Sequence, residues 1–434
     1  KFSYGQSGNT EIPAYKSIAQ AGISSYVFGG SALTTGSSIT QLANEELTWE
    51  TTREIDYGLS LGIFNNRATI EADYYDKETS NLLLEVPLPS TSGYQTAFKN
   101  LGLVSNKGYE FAVNANMIEN RDFNWNMNFN ISFNENKVLD LGDADEFFVT
   151  AIGDNLTNND YIVKVGESLG SIYGLDFDGV YTYDDFVEFE GMTDGEAASK
   201  LYADAAAVGD DGTAMWWSLN QYTLKDGVPL NALVTNGTYR PGMTKFKDIN
   251  GDGVINDDDR HIIGNTLPKH FGGMSQNLNF MNFDLSIQTS WSYGNDVYNK
   301  TLKKGIQTSV PWRNKFAIVN DRWSPENPMG KFTAFSAGSS GDVNSAAYDS
   351  YIEDGSYFRI GNITLGFTLP KDLIRKIGVK NLRIYASMDN VHIWTKYSGW
   401  DPDVSVGNNQ LTPGLDVDSY PRSRTFRTGI VARF

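Results

Sequence analysis

One stretch of the 434-residue chain carries oxygen donors at metal-ligand spacing. Asp248-Ile-Asn250-Gly-Asp252-Gly-Val254-Ile-Asn-Asp-Asp-Asp259 places side-chain oxygens at the first, third and fifth positions of a loop. Gly253 holds the sixth position, Val254 offers a backbone carbonyl at the seventh, and Ile255 is an apolar anchor at the eighth. Ca²⁺ is a hard cation that takes about six to eight oxygens, and this spacing wraps them around one ion. The last position is Asp259, where an EF-hand has Glu, and no amphipathic helix flanks the loop. The expected ligands are Asp248, Asn250, Asp252, the Val254 carbonyl and Asp259, around a structural Ca²⁺ that braces a long loop. The alternative is an Asp/Asn/Gly-rich turn without metal.

Other chemistry is sparse. The three histidines, His261, His270 and His392, lie in no zinc-protease or nucleophile-elbow motif. Carboxylates are many and diffuse, so no catalytic pair stands out. Gly166-Glu-Ser-Leu-Gly170 lacks the Lys and the strand–helix frame of a phosphate loop. The chain is therefore not expected to be an enzyme. Trp216, Trp217, Trp312 and Trp400 fall between strand patterns, where aromatic faces can stack on sugar rings or peptides. Of these, Trp216, Trp217 and Trp400 are the candidate substrate contacts; the bland reading is loop packing.

The elements that must position these loops are strands. From Phe123 to Asn134, large apolar residues alternate with Asn or Ser: Phe123, Trp125, Met127, Phe129, Ile131 and Phe133 share one face. A period of two is a β-strand. Asn is a poor strand former, so burial of the apolar face has to hold it. The same alternation recurs over 49–63, 68–74, 109–117, 274–280, 283–293, 357–369, 382–388 and 426–434, and residues 1–6 read as a strand end. That gives about ten strands. The Ala-rich stretch Glu196 to Val208 reads as a helix, and 370–379 as a short helical turn.

Connection lengths alternate. Short ones fall at 64–67, 119–122, 281–282 and 370–380; long ones at 7–46, 77–101, 135–270, 295–355 and 396–421. An antiparallel meander puts alternate connections at opposite ends, so short turns share one rim and long loops the other, as in outer-membrane barrels. Aromatics near strand ends (Tyr74, Tyr75, Trp291, Tyr293, Trp394, Tyr397) are expected in interfacial girdles. A formal net charge of -18 argues against nucleic acid as a partner. There is no Cys, which removes disulfides and thiolate metal sites. No apolar run approaches the roughly 20 residues of a transmembrane helix, a test that is blind to barrels. The chain opens inside a strand pattern without Met or signal peptide, which reads as a piece of a longer protein.

Several stretches together resemble the SusC/RagA-like TonB-dependent transporters of Bacteroidetes outer membranes. They are Ser3 to Asn9, Leu47 to Thr52, Phe64 to Arg67 with Asp73 to Lys77, Asn106 to Glu110, Phe246 to Gly253 with Asp259-Arg260 and Ile263-Gly264, and Tyr420 to Arg422 with the closing Phe434. The resemblance implies an all-β antiparallel transmembrane barrel, of which residues 1–434 are about ten strands from the C-terminal part of a 22-stranded whole. Residues 135–270 are then a long extracellular insertion carrying the calcium-like loop 248–259. The implied function is active import of oligomeric glycans or peptides across the outer membrane of a Gram-negative bacterium. Implied partners are a SusD-like surface lipoprotein, the TonB complex through the plug-bearing N-terminal part, the cargo and outer-membrane lipid. Two readings stay open beside it: a secreted Ca²⁺-stabilised β-sandwich that binds glycans, and a passive porin.

Overall fold

Alternating side chains produce ten antiparallel strands in the computed structural model. It describes all residues except 10–14, 16, 28–32, 89, 95, 152–158, 209–221, 234–238, 308–312, 336–346, 375–377 and 407–408. The strands are β1 (Phe2–Asn9), β2 (Glu50–Ile63), β3 (Ala68–Ser80), β4 (Leu103–Glu119), β5 (Phe123–Asp140), β6 (His270–Phe280), β7 (Phe283–Tyr293), β8 (Tyr357–Thr368), β9 (Asn381–Thr395) and β10 (Thr425–Arg433). They form one meander in chain order. Each ladder is antiparallel. The short turns therefore share one rim and the long connections the other, as their lengths predict.

Local chemistry sets the turns. The β2–β3 turn holds Phe64, Asn65 and Asn66 at φ 53°, 56° and 63° and closes with Arg67 N–H donating to the Phe64 carbonyl at 3.2 Å. Asn tolerates this left-handed region better than other residues with a side chain. A β-bulge opposite Gln288 and Thr289 inserts Gly361 into β8, which keeps Ile363 and Phe358 on the same face of the sheet.

The long connections fold. Within 81–102, residues Leu83–Pro87 pair with Thr96–Asn100 as a hairpin, and Gln20–Val27 pair with Leu33–Gln41. β3 runs to Ser80 and β5 to Asp140, so the loops expected from 77 and from 135 begin later. The large insertion is a second folded layer. Glu146–Val149, Tyr161–Lys164, Ser171–Leu175 and His261–Asn265 make an antiparallel sheet, joined in parallel by Ala347–Tyr348. The expected helix is present over Asp194–Val208.

The buried core lies in this layer, not under the ten-stranded sheet. It is built from aromatics and aliphatics such as Tyr161, Ile172, Tyr181, Phe186, Leu201, Phe246 and Trp323. A smaller cluster joins Val104 of β4 and Val138 of β5 to Phe147, Val163 and Leu411, which seats the layer on the long-loop rim of the wall. Among the described residues no helix is long and apolar enough to cross a membrane.

Candidate functional site

Among the described residues no protein layer covers the apolar face of the ten-stranded sheet. Leu59, Leu61, Leu365, Ile384, Phe426 and Ile430 stand exposed on it, and Trp125, Phe129 and Ile131 are only half-buried. Such a continuous exposed apolar surface is far beyond what a water-soluble monomer carries. The β-sandwich reading fails here, because it requires a second sheet against these residues.

Cross-strand registers order aromatics into two rows on this face. One row runs Phe2, Tyr57, Tyr74, Tyr109, Phe133, His270 and Tyr293, each paired with the next across seven strands, at the long-loop ends of β6 and β7 and deeper in β1–β3. Their rings touch: Phe2–Tyr57 at 5.2 Å, Tyr74–Tyr109 at 5.1 Å, Phe133–His270 at 5.4 Å and His270–Tyr293 at 5.0 Å between centroids. The row at the short-turn rim is Phe123, Phe280, Phe283 and Phe367. On β5, β6 and β7 the two rows are ten positions apart. That is about 33 Å along a strand at roughly 3.3 Å per residue. At a tilt of roughly 40° it spans about 25 Å, the height of the apolar band of an outer-membrane barrel. Between the rows, Gly272 leaves room for the Trp291 ring, which a Cβ would meet at 2.4 Å, so Trp291 lies flat and stacks on Phe129 at 5.5 Å.

Two residues expected in these girdles are not on this face, and Trp291 and Trp394 stand on it just inside the upper row. Tyr75 points to the opposite face, where its hydroxyl donates to Asn134 Oδ1 at 2.8 Å. Tyr397 is buried in the loop layer and donates to Asp416. A strand end contributes to the girdle only when register turns it outward, and Tyr397 lies beyond the end of β9.

The other face is a hydrogen-bonded polar wall. Asn126 donates to Asn116 at 2.9 Å and accepts from Asn128 at 3.3 Å; Asn134 and Asn136 both donate to Asn106. Asn362 donates to Asp389 at 2.6 Å and to Ser387 at 3.0 Å. Arg383 grips Asp284 with two bonds of 2.9 and 2.5 Å. This surface offers amides, hydroxyls and carboxylates to water or polar cargo.

The loop 248–259 is fully described. Asp248 receives Gly251 N–H at 2.7 Å and Gly253 N–H at 2.8 Å on its two oxygens; Asp252 receives Val254 N–H at 2.8 Å. Asp259 is buried and accepts from Ile249, Asn250 and Asn256 amides. Ile255 is the buried anchor its position predicts. The loop thus closes on its own amide–carboxylate bonds, and among the described residues no group of three or more His, Cys, Asp or Glu is set to hold a metal. Asp259 Oδ1 is filled by two amides, but the Asp248 and Asp252 oxygens each keep a second lone pair, and the Asn250 and Val254 oxygens are outside that count, so the donor chemistry still suits a hard cation.

Trp216, Trp217 and Trp312 lie outside the described residues. Trp400 is described and is 77% exposed. Its neighbour Asp401 is buried against Arg359 of β8, which donates to it at 3.0 and 2.5 Å. Arg359 also reaches Asn390 Oδ1 at 3.1 Å, and Arg422 bonds Asp403. Sequence reading missed this clasp, because its partners are 42 positions apart.

Residues 1–236 match the family described as TonB dependent receptor-like, beta-barrel. TonB-dependent receptor P3 of Formosa agariphila is 33% identical over 444 residues, covering 100% of this chain and 39% of that protein. TonB-dependent receptor SusC of Bacteroides thetaiotaomicron is 27% identical over 414 residues, covering 94% of this chain and 34% of that protein. A solved RagAB peptide transporter shares the fold, with a TM-score of 0.67 at 21% identity over 99% of this chain and 40% of its own. The chain thus spans 39% or less of these two curated relatives.

Proposed function

The chain belongs to the TonB-dependent receptor-like β-barrel family and forms outer-membrane barrel wall, and from that premise we propose that it serves an energised importer of oligomeric nutrients. The observation that carries the proposal is the two-faced sheet. Aromatics that stand about one apolar-band height apart on β5, β6 and β7 meet lipid on one side, and an Asn-, Ser- and carboxylate-rich wall meets water on the other. A folded layer at the long-loop rim stands over that wet side and would meet cargo first.

The reading takes a SusD-like surface lipoprotein as partner at the long-loop rim and the TonB complex as energy source. Cargo is an oligomer, glycan or peptide, contacted by Trp216, Trp217 and Trp400. Loop 248–259 takes a structural Ca²⁺ through Asp248, Asn250, Asp252, the Val254 carbonyl and Asp259, added to a loop already closed by its own hydrogen bonds. The experiment is uptake by cells whose only copy of the full-length protein carries this barrel, with TonB present or deleted, on labelled oligosaccharide and oligopeptide pools. Uptake of one pool that stops without TonB supports the proposal and names the cargo. Uptake that persists without TonB makes the barrel a passive porin.

A further inference from the structure

The wall has a break just above the long-loop aromatic row. The β5–β6 ladder ends at Phe133 and His270. Pro268, two residues before His270, has no N–H to continue it. Further along β5, the edge is taken over by the loop layer: Val138 N–H donates to the Glu167 carbonyl and Gly166 N–H to the Val138 carbonyl, both at 2.8 Å. Between these two pairings a notch of about 520 Å³ opens, bounded by residues 134–136 on one side and 265–269 on the other.

Its lining is graded. Tyr109 and Phe133, members of the girdle, form the lower edge; Asn134, Asn136, Ser168 and Asn265 form a polar floor. Lys107 and Lys269 flank it. Lys107 stands one outward position above Tyr109, and its amine is 2.9 Å from Asp76. Glu135, its cross-strand partner, lines the notch too. The notch therefore sits at headgroup level on the lipid side of the wall, with amines and carboxylates in balance.

We propose that this notch binds the phosphorylated headgroup of an outer-leaflet lipid. The two amines receive the phosphate, and the Ser168 hydroxyl, which accepts from Asn265 and keeps its own proton, donates to a sugar or glycerol oxygen; the Asn134 and Asn136 amides are held by Asn106 on the wet face. Asp76 and Glu135 hold the cation that accompanies the phosphate, whether a headgroup amine or a bridging divalent ion. The acyl chains run down over Tyr109 and Phe133 into the apolar band. The balance of charge favours a headgroup over a bare anion, which brings no cation and no chain. The proposal rests on membrane placement and stands apart from the import reading.

The test uses the full-length protein, extracted from outer membrane in mild detergent, with co-purified phosphorylated lipid counted by mass spectrometry. The double variant K107E/K269E is compared with K380E, a charge reversal at the short-turn rim. Loss of roughly tenfold in retained lipid from the double variant, with K380E like wild type, is the expected result. Unchanged retention in a double variant that still migrates as a folded barrel overturns the proposal, as does equal loss from K380E. If K107E/K269E does not fold, K107Q/K269Q is read by the same two criteria. Inorganic phosphate added to the wild type leaves the lipid in place; displacement by it makes the notch a free-anion site and overturns the lipid assignment.

Discussion

Arg359 holds Asp401 by two hydrogen bonds of 3.0 and 2.5 Å, with both side chains nearly closed to solvent. This joins the inner wall at β8 to the connection that follows β9. Asp401 also accepts Asp403 N–H at 3.0 Å, which fixes the turn after Trp400. The exposed indole is thereby presented on a fixed base.

Removing one partner of a buried pair strands the other charge, which costs about 3–5 kcal/mol. Arg359→Ala is expected to lower barrel stability by less than that, because Arg422 Nε stays 3.5 Å from Asp401, and to speed hydrogen exchange over 396–406. Replacing both partners with Met and Leu is expected to recover most of the loss. Equal exchange in the single variant and wild type would show that the clasp does not hold the loop.

Trp400→Ala leaves the clasp intact. It is expected to weaken binding of cargo or surface partner with no change in melting temperature. A fall in melting temperature with unchanged binding would make Trp400 a packing residue.

The two faces of β5 predict opposite responses to charge. Phe129→Arg places a cation on the lipid side near mid-band, where it costs about 2–4 kcal/mol. Asn128→Lys, one residue away on the wet side, is expected to cost less than about 1 kcal/mol. Urea titrations of barrels refolded into vesicles measure both, and equal losses would contradict the assignment of faces.

In loop 248–259 two aspartates separate folding from metal binding. Asp259→Ala removes the buried acceptor of three amides, so stability is expected to fall by about 3 kcal/mol at roughly 1 kcal/mol per bond, seen as a lower melting temperature in chelator and in Ca²⁺ alike. Asp252→Ala loses one exposed cap but a ligand position, so it is expected to abolish only the Ca²⁺-dependent rise in melting temperature. A wild type with no such rise disposes of the ion.

Asp296, on the loop-layer strand Asp296–Asn299, has its carboxyl pKa raised, chiefly by burial, against the Asn265 N–H it accepts at 2.8 Å. A raised folded pKa means that the native state binds the proton more tightly than the unfolded chain. Its stabilising contribution is full below the ordinary carboxylate pKa and is lost as pH rises through the folded value. Asp296→Asn keeps the acceptor and removes the titration. The variant's melting temperature is expected to lose part of its pH dependence just above the ordinary carboxylate range. Parallel curves for variant and wild type would refute this.

Alternation of residues such as Trp125, Phe129 and Ile131 with Asn determined the strands, their two faces and the sorting of connections, because a period of two is a local property of an extended chain. The sequence also carried the ten-residue spacing of Phe123 with Phe133 and of Phe283 with Tyr293. Only register showed that these line up with Phe280 and His270 as rows. Single strands do not encode their neighbours' offset, which is why Tyr75 reads as a girdle residue but faces the polar wall. The Arg359–Asp401 clasp, the burial of Asp259 and the notch beside Pro268 depend on segments distant in the chain meeting above the wall. Side-chain type and spacing are blind to such meetings, and packing of the loop layer against β4, β5 and β8 decides them.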